Sequence, residues 1–350
     1  MINVLVIDDS ALVRKVLTDE LNKQPDIRVV GTAIDPYAAR EKIMKLRPDV
    51  LTLDLEMPRM DGLSFLAMLM KHYPMPVVVV SSLTPKNSEN ALRALRLGAV
   101  DVICKPGSAY STQNVSRDII KAVRAASHAR FDQFVPEPEE KETVTKPKAK
   151  SGLAQTTNKL IAIGASTGGT KAIEMVLKDL PLNIPGIVIV QHMPPVFTKS
   201  FSDRLNEICT IDVVEARDGD LVQSGKALLA PGNYHMQLEK SGAKYYVRVK
   251  QGPPVNHHRP SVDVLFNSVA KVAGVNATGV ILTGMGADGA AGMLEMKNAG
   301  AYNIAQDEAT SVVYGMPKEA YRMGGVDAVL PLNRISDAIL REVADKHQFA

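Results

Sequence analysis

Two groups of residues in this chain combine types and positions that could do chemistry. The first holds three aspartates, Asp8 and Asp9 in VLVIDDS and Asp54 in LTLDLEMP, with Ser81 in VVVVSS and Lys105 in VICKP. All five sit at or just past the ends of apolar runs. Carboxylates brought together from different strand ends repel one another unless a hard divalent cation such as Mg²⁺ offsets their charge. A hydroxyl and an ammonium group are the partners that a phosphoryl group on Asp54 would need. The second group is Ser166, inside Gly164-Ala-Ser-Thr-Gly168, with His192 in IVIVQHMPP and Asp288 in ILTGMGADGAAG. G-x-S-x-G is the pattern of a nucleophile elbow, a sharp strand-to-helix turn that projects the serine hydroxyl. The helix that follows offers backbone N–H groups and a favourable dipole to an oxyanion. A serine hydroxyl is a poor nucleophile without a base, and the base needs an acid to orient it.

The order Ser…His…Asp differs from the Ser…Asp…His order of α/β-hydrolases and argues against that family. Glycine-serine turns also bind phosphate, but the G-x-G-x-x-G spacing of a dinucleotide site is missing. Three further histidines compete with His192: His235, His257 and His258. No cysteine or acid cluster at ligand spacing accompanies His257 and His258, so they read as loop residues beside a substrate groove rather than metal ligands. Met175, Met193, Met285, Met293 and Met296 read as core or pocket filling.

The elements that must position these groups alternate between strand and helix. Before residue 125, strands are expected at 2–7, 28–34, 49–53, 77–82 and 100–105, with a helix from about Ala11 to Lys23. Asp35 followed by Pro36 reads as an N-cap and a first-turn proline opening the next helix. Continuous apolar strands separated by helices indicate an α/β fold with a parallel, doubly wound, flavodoxin-like sheet covered on both faces. In such a sheet the carboxyl ends of the first and third strands meet at the topological switch point, which brings Asp8, Asp9 and Asp54 together. A second α/β pattern starts after residue 158, with strands at 160–166, 186–193, 226–231 and 278–285 and a hairpin between Met236 and Lys250. Its sheet is expected to be doubly wound and mainly parallel.

Residues 133–157 break this pattern with three prolines, four glutamates and four lysines. Such a segment cannot bury enough apolar surface to offset its ordering entropy, so a flexible linker is expected there. The 350 residues suit two domains, at 1–125 and 158–345. A net charge of +3 argues against nucleic acid as the main partner. The longest apolar runs are strand-sized, which argues against membrane insertion. With two cysteines and no signal-peptide pattern, the chain reads as cytoplasmic.

VIDDSA, LDLEMPRMDG, VVVVSS and CKP, in this order, closely resemble the receiver domains of two-component response regulators. That resemblance implies that Asp54 accepts a phosphoryl group from a histidine kinase. It implies that Asp8, Asp9, Asp54 and the backbone carbonyl of Glu56 hold Mg²⁺, while Ser81 and Lys105 read the phosphate. Serine stands at 81 where many receivers carry threonine, which keeps the hydroxyl. GASTGGT, QHMPP, NHHRPSVDVLF, ILTGMGADGAAG and YGMPKEA together resemble the catalytic domain of chemotaxis methylesterases, the CheB family. This second resemblance implies Ser166 as nucleophile, His192 as general base and Asp288 as orienting carboxylate. Backbone N–H groups near Thr167 and Met285 become candidate oxyanion donors, and the esterase needs no cofactor. The implied substrates are glutamyl methyl esters of chemoreceptors, hydrolysed with release of methanol, with deamidation of receptor glutamines as a second activity.

The alternative output classes are a DNA-binding domain and a nucleotide-binding module. No helix-turn-helix or basic helix stands out after residue 158, and GASTGG lacks the P-loop lysine pattern.

Overall fold

Branched apolar residues in unbroken runs favour strands buried on both faces. In the computed structural model, which describes residues 1–57, 59–82, 84–105, 112–129 and 158–345, those runs become two separate parallel sheets. The linker expected at 133–157 lies outside the described residues. The chain divides into two units, Met1–Glu140 and Lys141–Ala350.

The first unit holds β1 (Ile2–Ile7), β2 (Ile27–Ala33), β3 (Val50–Asp54), β4 (Val77–Ser81) and β5 (Asp101–Cys104). Its helices are α1 (Ala11–Asn22), α2 (Pro36–Leu46), α3 (Gly62–His72), α4 (Pro85–Leu97) and α5 (Thr112–Ser127). The strand order is β2-β1-β3-β4-β5, and every pairing is parallel. The sequence direction reverses between β1 and β3, so a crevice opens at their carboxyl ends. Local signals set the helix starts: Ser10 caps α1 by accepting from the Val13 N–H, and Asp35 caps α2 by accepting from the Ala38 N–H. Pro36 fills the first turn of α2, where no backbone donor is needed.

The second unit has a seven-stranded sheet in which every pairing is parallel, in the order β15-β14-β13-β6-β7-β10-β8. These strands are β6 (Leu160–Ala165), β7 (Gly186–Gln191), β8 (Asp212–Glu215), β10 (Lys226–Leu229), β13 (Ala277–Ile281), β14 (Tyr302–Gln306) and β15 (Ala328–Leu330). The helices are α6 (Gly169–Lys178), α7 (Phe197–Ile208), α8 (Val262–Val272), α9 (Ala290–Asn298), α10 (Met316–Arg322) and α11 (Ile335–Asp345). The expected hairpin is β11 (His235–Ser241) with β12 (Lys244–Lys250), turning through Gly242 at φ +58°. It joins β9 (Leu221–Val222) in a separate antiparallel sheet. Phe266, Leu265 and Val269 of α8 pack into a core that also holds Met293 and Met296, as expected for gap-filling methionines. Met175 departs from that expectation. It lies on the outer face of α6 with 38% of its surface exposed. No helix among the described residues is long and apolar enough to cross a membrane.

Candidate active sites

In the second sheet β6 is flanked by β13 and β7, and the chain's direction through the sheet reverses there. Ala165 and Gln191 are register partners at the ends of β6 and β7. Ser166 and His192 are therefore the first residues beyond two neighbouring strands. Main-chain bonds fasten the three strand ends together. The His192 N–H donates to Ala165 O at 3.1 Å, and the Ser166 N–H donates to Thr283 O at 3.0 Å. Buried Gln191 donates its side-chain amide to the carbonyls of Ser166 (2.9 Å) and His192 (3.1 Å). Gly168 then takes a left-handed φ of +77° and α6 begins.

Asp288 follows β13 and is 2% exposed. Five donors converge on its carboxylate. His192 Nε2 lies at 2.8 Å, Ser261 Oγ at 2.7 Å, Asn256 Nδ2 at 2.9 Å, and the N–H groups of Val262 and Asp263 at 2.7 and 3.3 Å. Three of the five belong to the N-terminus of α8, whose unpaired N–H groups and dipole favour an anion. Burial works against the charge of Asp288, but the bonds from His192, Asn256 and Ser261 outweigh it and hold the carboxyl far below its usual range. A bond from Nε2 to an ionised carboxylate places the imidazole proton on Nε2. Nδ1 is then the basic nitrogen; it is buried and, among the described residues, has no hydrogen-bond partner. Among the described residues no hydrogen bond joins Ser166 Oγ to it, a looseness common in ligand-free sites.

The turn before α8 supplies the remaining contacts. Val255 and His258 exchange backbone bonds of 3.0 and 2.8 Å. Asn256 (φ +50°) and His257 (φ +66°), between them, are both left-handed, the geometry of a type I′ turn. His258 lies flat on His192, with centroids 3.7 Å apart and planes within 4°, whereas His257 is exposed. His235 is structural: its Nε2 bonds Pro253 O at 3.0 Å and its Nδ1 accepts from the Ser261 N–H at 3.3 Å.

Thr167 is buried at the start of the Ser166 turn, and its carbonyl accepts from Thr283 Oγ1 at 3.0 Å. Met285 is half-buried past β13. Between them Gly284 has no room for a side chain, because a Cβ there would lie 2.7 Å from Ser166 Cβ and 3.1 Å from Ser166 N. Gly284→Ala is therefore expected to push the serine turn out of line and lower ester hydrolysis roughly 100-fold. Turnover on a methyl ester, with receiver phosphorylation followed alongside, checks this.

In the first unit the carboxylates of Asp8, Asp9 and Asp54 each place an oxygen within 4.8 Å of the others. An all-oxygen donor set of this kind fits a hard divalent cation. Lys105 Nζ reaches Asp54 Oδ2 at 2.6 Å and Asp8 Oδ2 at 3.0 Å. Burial pushes the Asp54 carboxyl up to about 6, against the pull of Lys105 and of the Glu56 N–H, which donates to Asp54 Oδ1 at 3.0 Å. Ser81 is buried at the end of β4, and among the described residues its Oγ has no hydrogen-bond partner. The sequence-selected residues thus assemble as two clusters, one in each unit. Gln191, Thr283, Asn256, Ser261 and the stacking of His258 were not anticipated. Only the Ser261 N-cap, ahead of an apolar helix, left a local signal.

The chain matches the family of CheB methylesterases over residues 161–339 and the response regulator receiver domain over 4–114. It is 57% identical over 345 residues to a protein-glutamate methylesterase/protein-glutamine glutaminase of Syntrophus aciditrophicus, covering 98% of this chain and 99% of that one. A protein of the same name from Salmonella typhi is 55% identical over 98% of this chain and 97% of its own. Among solved structures, the CheB methylesterase catalytic domain of Thermotoga maritima is similar at a TM-score of 0.52 and 39% identity, over 53% of this chain and 99% of that domain.

Proposed function

The chain belongs to the CheB methylesterase family, and from that premise we propose that Ser166, His192 and Asp288 act as one acyl-transfer unit under the control of Asp54. The protein is a protein-glutamate methylesterase and protein-glutamine glutaminase, and its substrates are glutamyl methyl esters and glutamines of chemoreceptors. The observation that carries the site assignment is the His192 ring. One nitrogen is fixed on a buried, strongly acidic carboxylate; the other is buried and, among the described residues, unpartnered, on a residue that follows β7 just as Ser166 follows its neighbour β6.

In the first half-reaction Ser166 Oγ attacks the ester carbonyl carbon while His192 Nδ1 takes the hydroxyl proton. Asp288 stabilises the resulting imidazolium. The tetrahedral oxyanion is received by backbone N–H groups near Thr167 and Met285 at the mouth of α6. It collapses as the C–O bond to methanol breaks, and His192 returns its proton to that oxygen. Water, deprotonated by His192, then attacks the acyl-serine; the C–Oγ bond breaks, His192 returns the proton to Ser166 Oγ, and the glutamate is freed. With a glutamine side chain the leaving group is ammonia, and every other step is unchanged.

In the receiver, Asp8, Asp9, Asp54 and the Glu56 carbonyl would hold Mg²⁺, which supplies charge neutralisation at the phosphoryl oxygens. Asp54 attacks the phosphorus of a kinase phosphohistidine, the P–N bond breaks, and an acyl phosphate forms. Lys105 leaves its ion pair with Asp54 to bind a phosphoryl oxygen, and Ser81 donates its hydroxyl to another. The buried Ser81 Oγ, without a partner among the described residues, supports this role. A dialkyl fluorophosphonate is expected to label the full chain at one residue, Ser166, as mass mapping of the adduct would check. Labelling elsewhere, with Ser166 unmodified, would overturn the assignment.

A further inference from the structure

The catalytic carboxylate is not held by His192 and α8 alone. Asn256 donates from its one amide nitrogen to two buried carboxylates, Asp288 Oδ1 at 2.9 Å and Asp263 Oδ2 at 2.6 Å. Asp263 is itself fixed, since its Oδ1 accepts from the Gly292 N–H in the first turn of α9 at 2.7 Å. Two carboxylates this close would drive one another apart, and a neutral amide with two hydrogens can bond both at once. The backbone points the same way. A type I′ turn favours glycine at its central positions, yet Asn256 and His257 occupy them at φ +50° and +66°. Asparagine is among the few residues that tolerate this conformation, and here its side chain turns inward to a site that glycine could not reach. The same turn sets the His258 ring on His192.

We infer that Asn256 is a positioning residue for the acyl-transfer unit: its amide yokes Asp288 to Asp263 and so fixes the carboxylate that orients His192. The turn thereby holds both members of the His–Asp pair, the acid through Asn256 and the base through the stacked ring of His258. Asn256 is exposed as a whole residue and lies outside the apolar core, and circular dichroism and a thermal melt of each variant separate loss of positioning from loss of fold. The inference rests on reading Ser166, His192 and Asp288 as the catalytic unit.

The test uses the full chain and compares Asn256→Ala, Asn256→Gly and His192→Ala. Two readouts are taken: the rate of Ser166 labelling by a dialkyl fluorophosphonate, and kcat and KM for methanol release from methylated receptor membranes. Both Asn256 variants are expected to lose about ten- to hundred-fold in labelling rate and in kcat, with KM unchanged. Glycine should do no better than alanine, although it suits the turn better. Wild-type rates in Asn256→Gly would overturn the inference, because turn geometry alone would then suffice. A raised KM with kcat intact would overturn it too, by making Asn256 a substrate contact. Undiminished labelling in His192→Ala would instead sink the catalytic reading and the inference with it.

Discussion

Replacing Ser166 or His192 by alanine is expected to cut methyl-ester hydrolysis by roughly 10⁴–10⁶-fold in either case, as single losses within such a triad do. The size of the effect follows from how the parts depend on each other. Without His192 the Ser166 hydroxyl keeps its proton, and without Ser166 the histidine has no nucleophile to activate. The double variant should therefore be little slower than either single one. What survives comes from the oxyanion donors and from substrate binding, which neither substitution removes. Asp288→Ala should cost somewhat less, because its loss frees the ring without deleting a reacting group. Initial rates of methanol release for the three variants and the double mutant decide the matter. Losses that multiply in the double variant would show that Ser166 and His192 act independently.

Asp54→Asn should abolish phosphoryl uptake from a small-molecule phosphodonor, and chelation of divalent cations should do the same to the unaltered chain. Asp54 is buried beside Asp8, and its oxygens lie among those of Asp8 and Asp9. Adding another anion to three carboxylates is unfavourable unless a cation shares the site, and Lys105 brings a single positive charge to the carboxylates of Asp8 and Asp54. Asparagine keeps the shape of the side chain but lacks a nucleophilic carboxylate oxygen. Lys105→Ala should act differently: uptake persists, while the coupling of phosphate to esterase activity falls. Radiolabel retained at the wild-type level on Asp54→Asn would remove Asp54 as the principal acceptor. Uptake that ignores chelation would remove the cation.

Both clusters were legible because most of their key residues sit at the ends of apolar runs, and in a parallel sheet those ends converge; Asp288 follows its strand by a longer loop. VLVI before Asp8, VVVV before Ser81 and LIAIGA before Ser166 are strands buried on both faces, the kind hardest to miss. Strand ends read one residue long at Ser166 and two residues long past Gln191 hid one point: both Ser166 and His192 stand just beyond the sheet rather than in it. The last two strands along the chain were harder. Tyr302–Gln306 interleaves polar residues, and Asn303 is buried there only because its amide finds the carbonyls of Met293 and Gly325. Ala328–Leu330 is three residues long and carries no pattern. What the sequence could not display was the packing around His192. NHHRPS reads locally as a loop. The link from Asn256 to Asp288 spans 32 positions, and neither it nor the stacking of His258 follows from propensity or periodicity.

Ester hydrolysis by Ser166 on receptors is tested most directly by release of radiolabelled methanol from methylated chemoreceptor membranes by the full chain. The wild-type chain should release methanol, faster when a phosphodonor and Mg²⁺ are supplied, and Ser166→Ala should release none above the membrane background. Equal release by the Ser166→Ala chain, or none by the wild-type chain with phosphodonor present, would contradict the account.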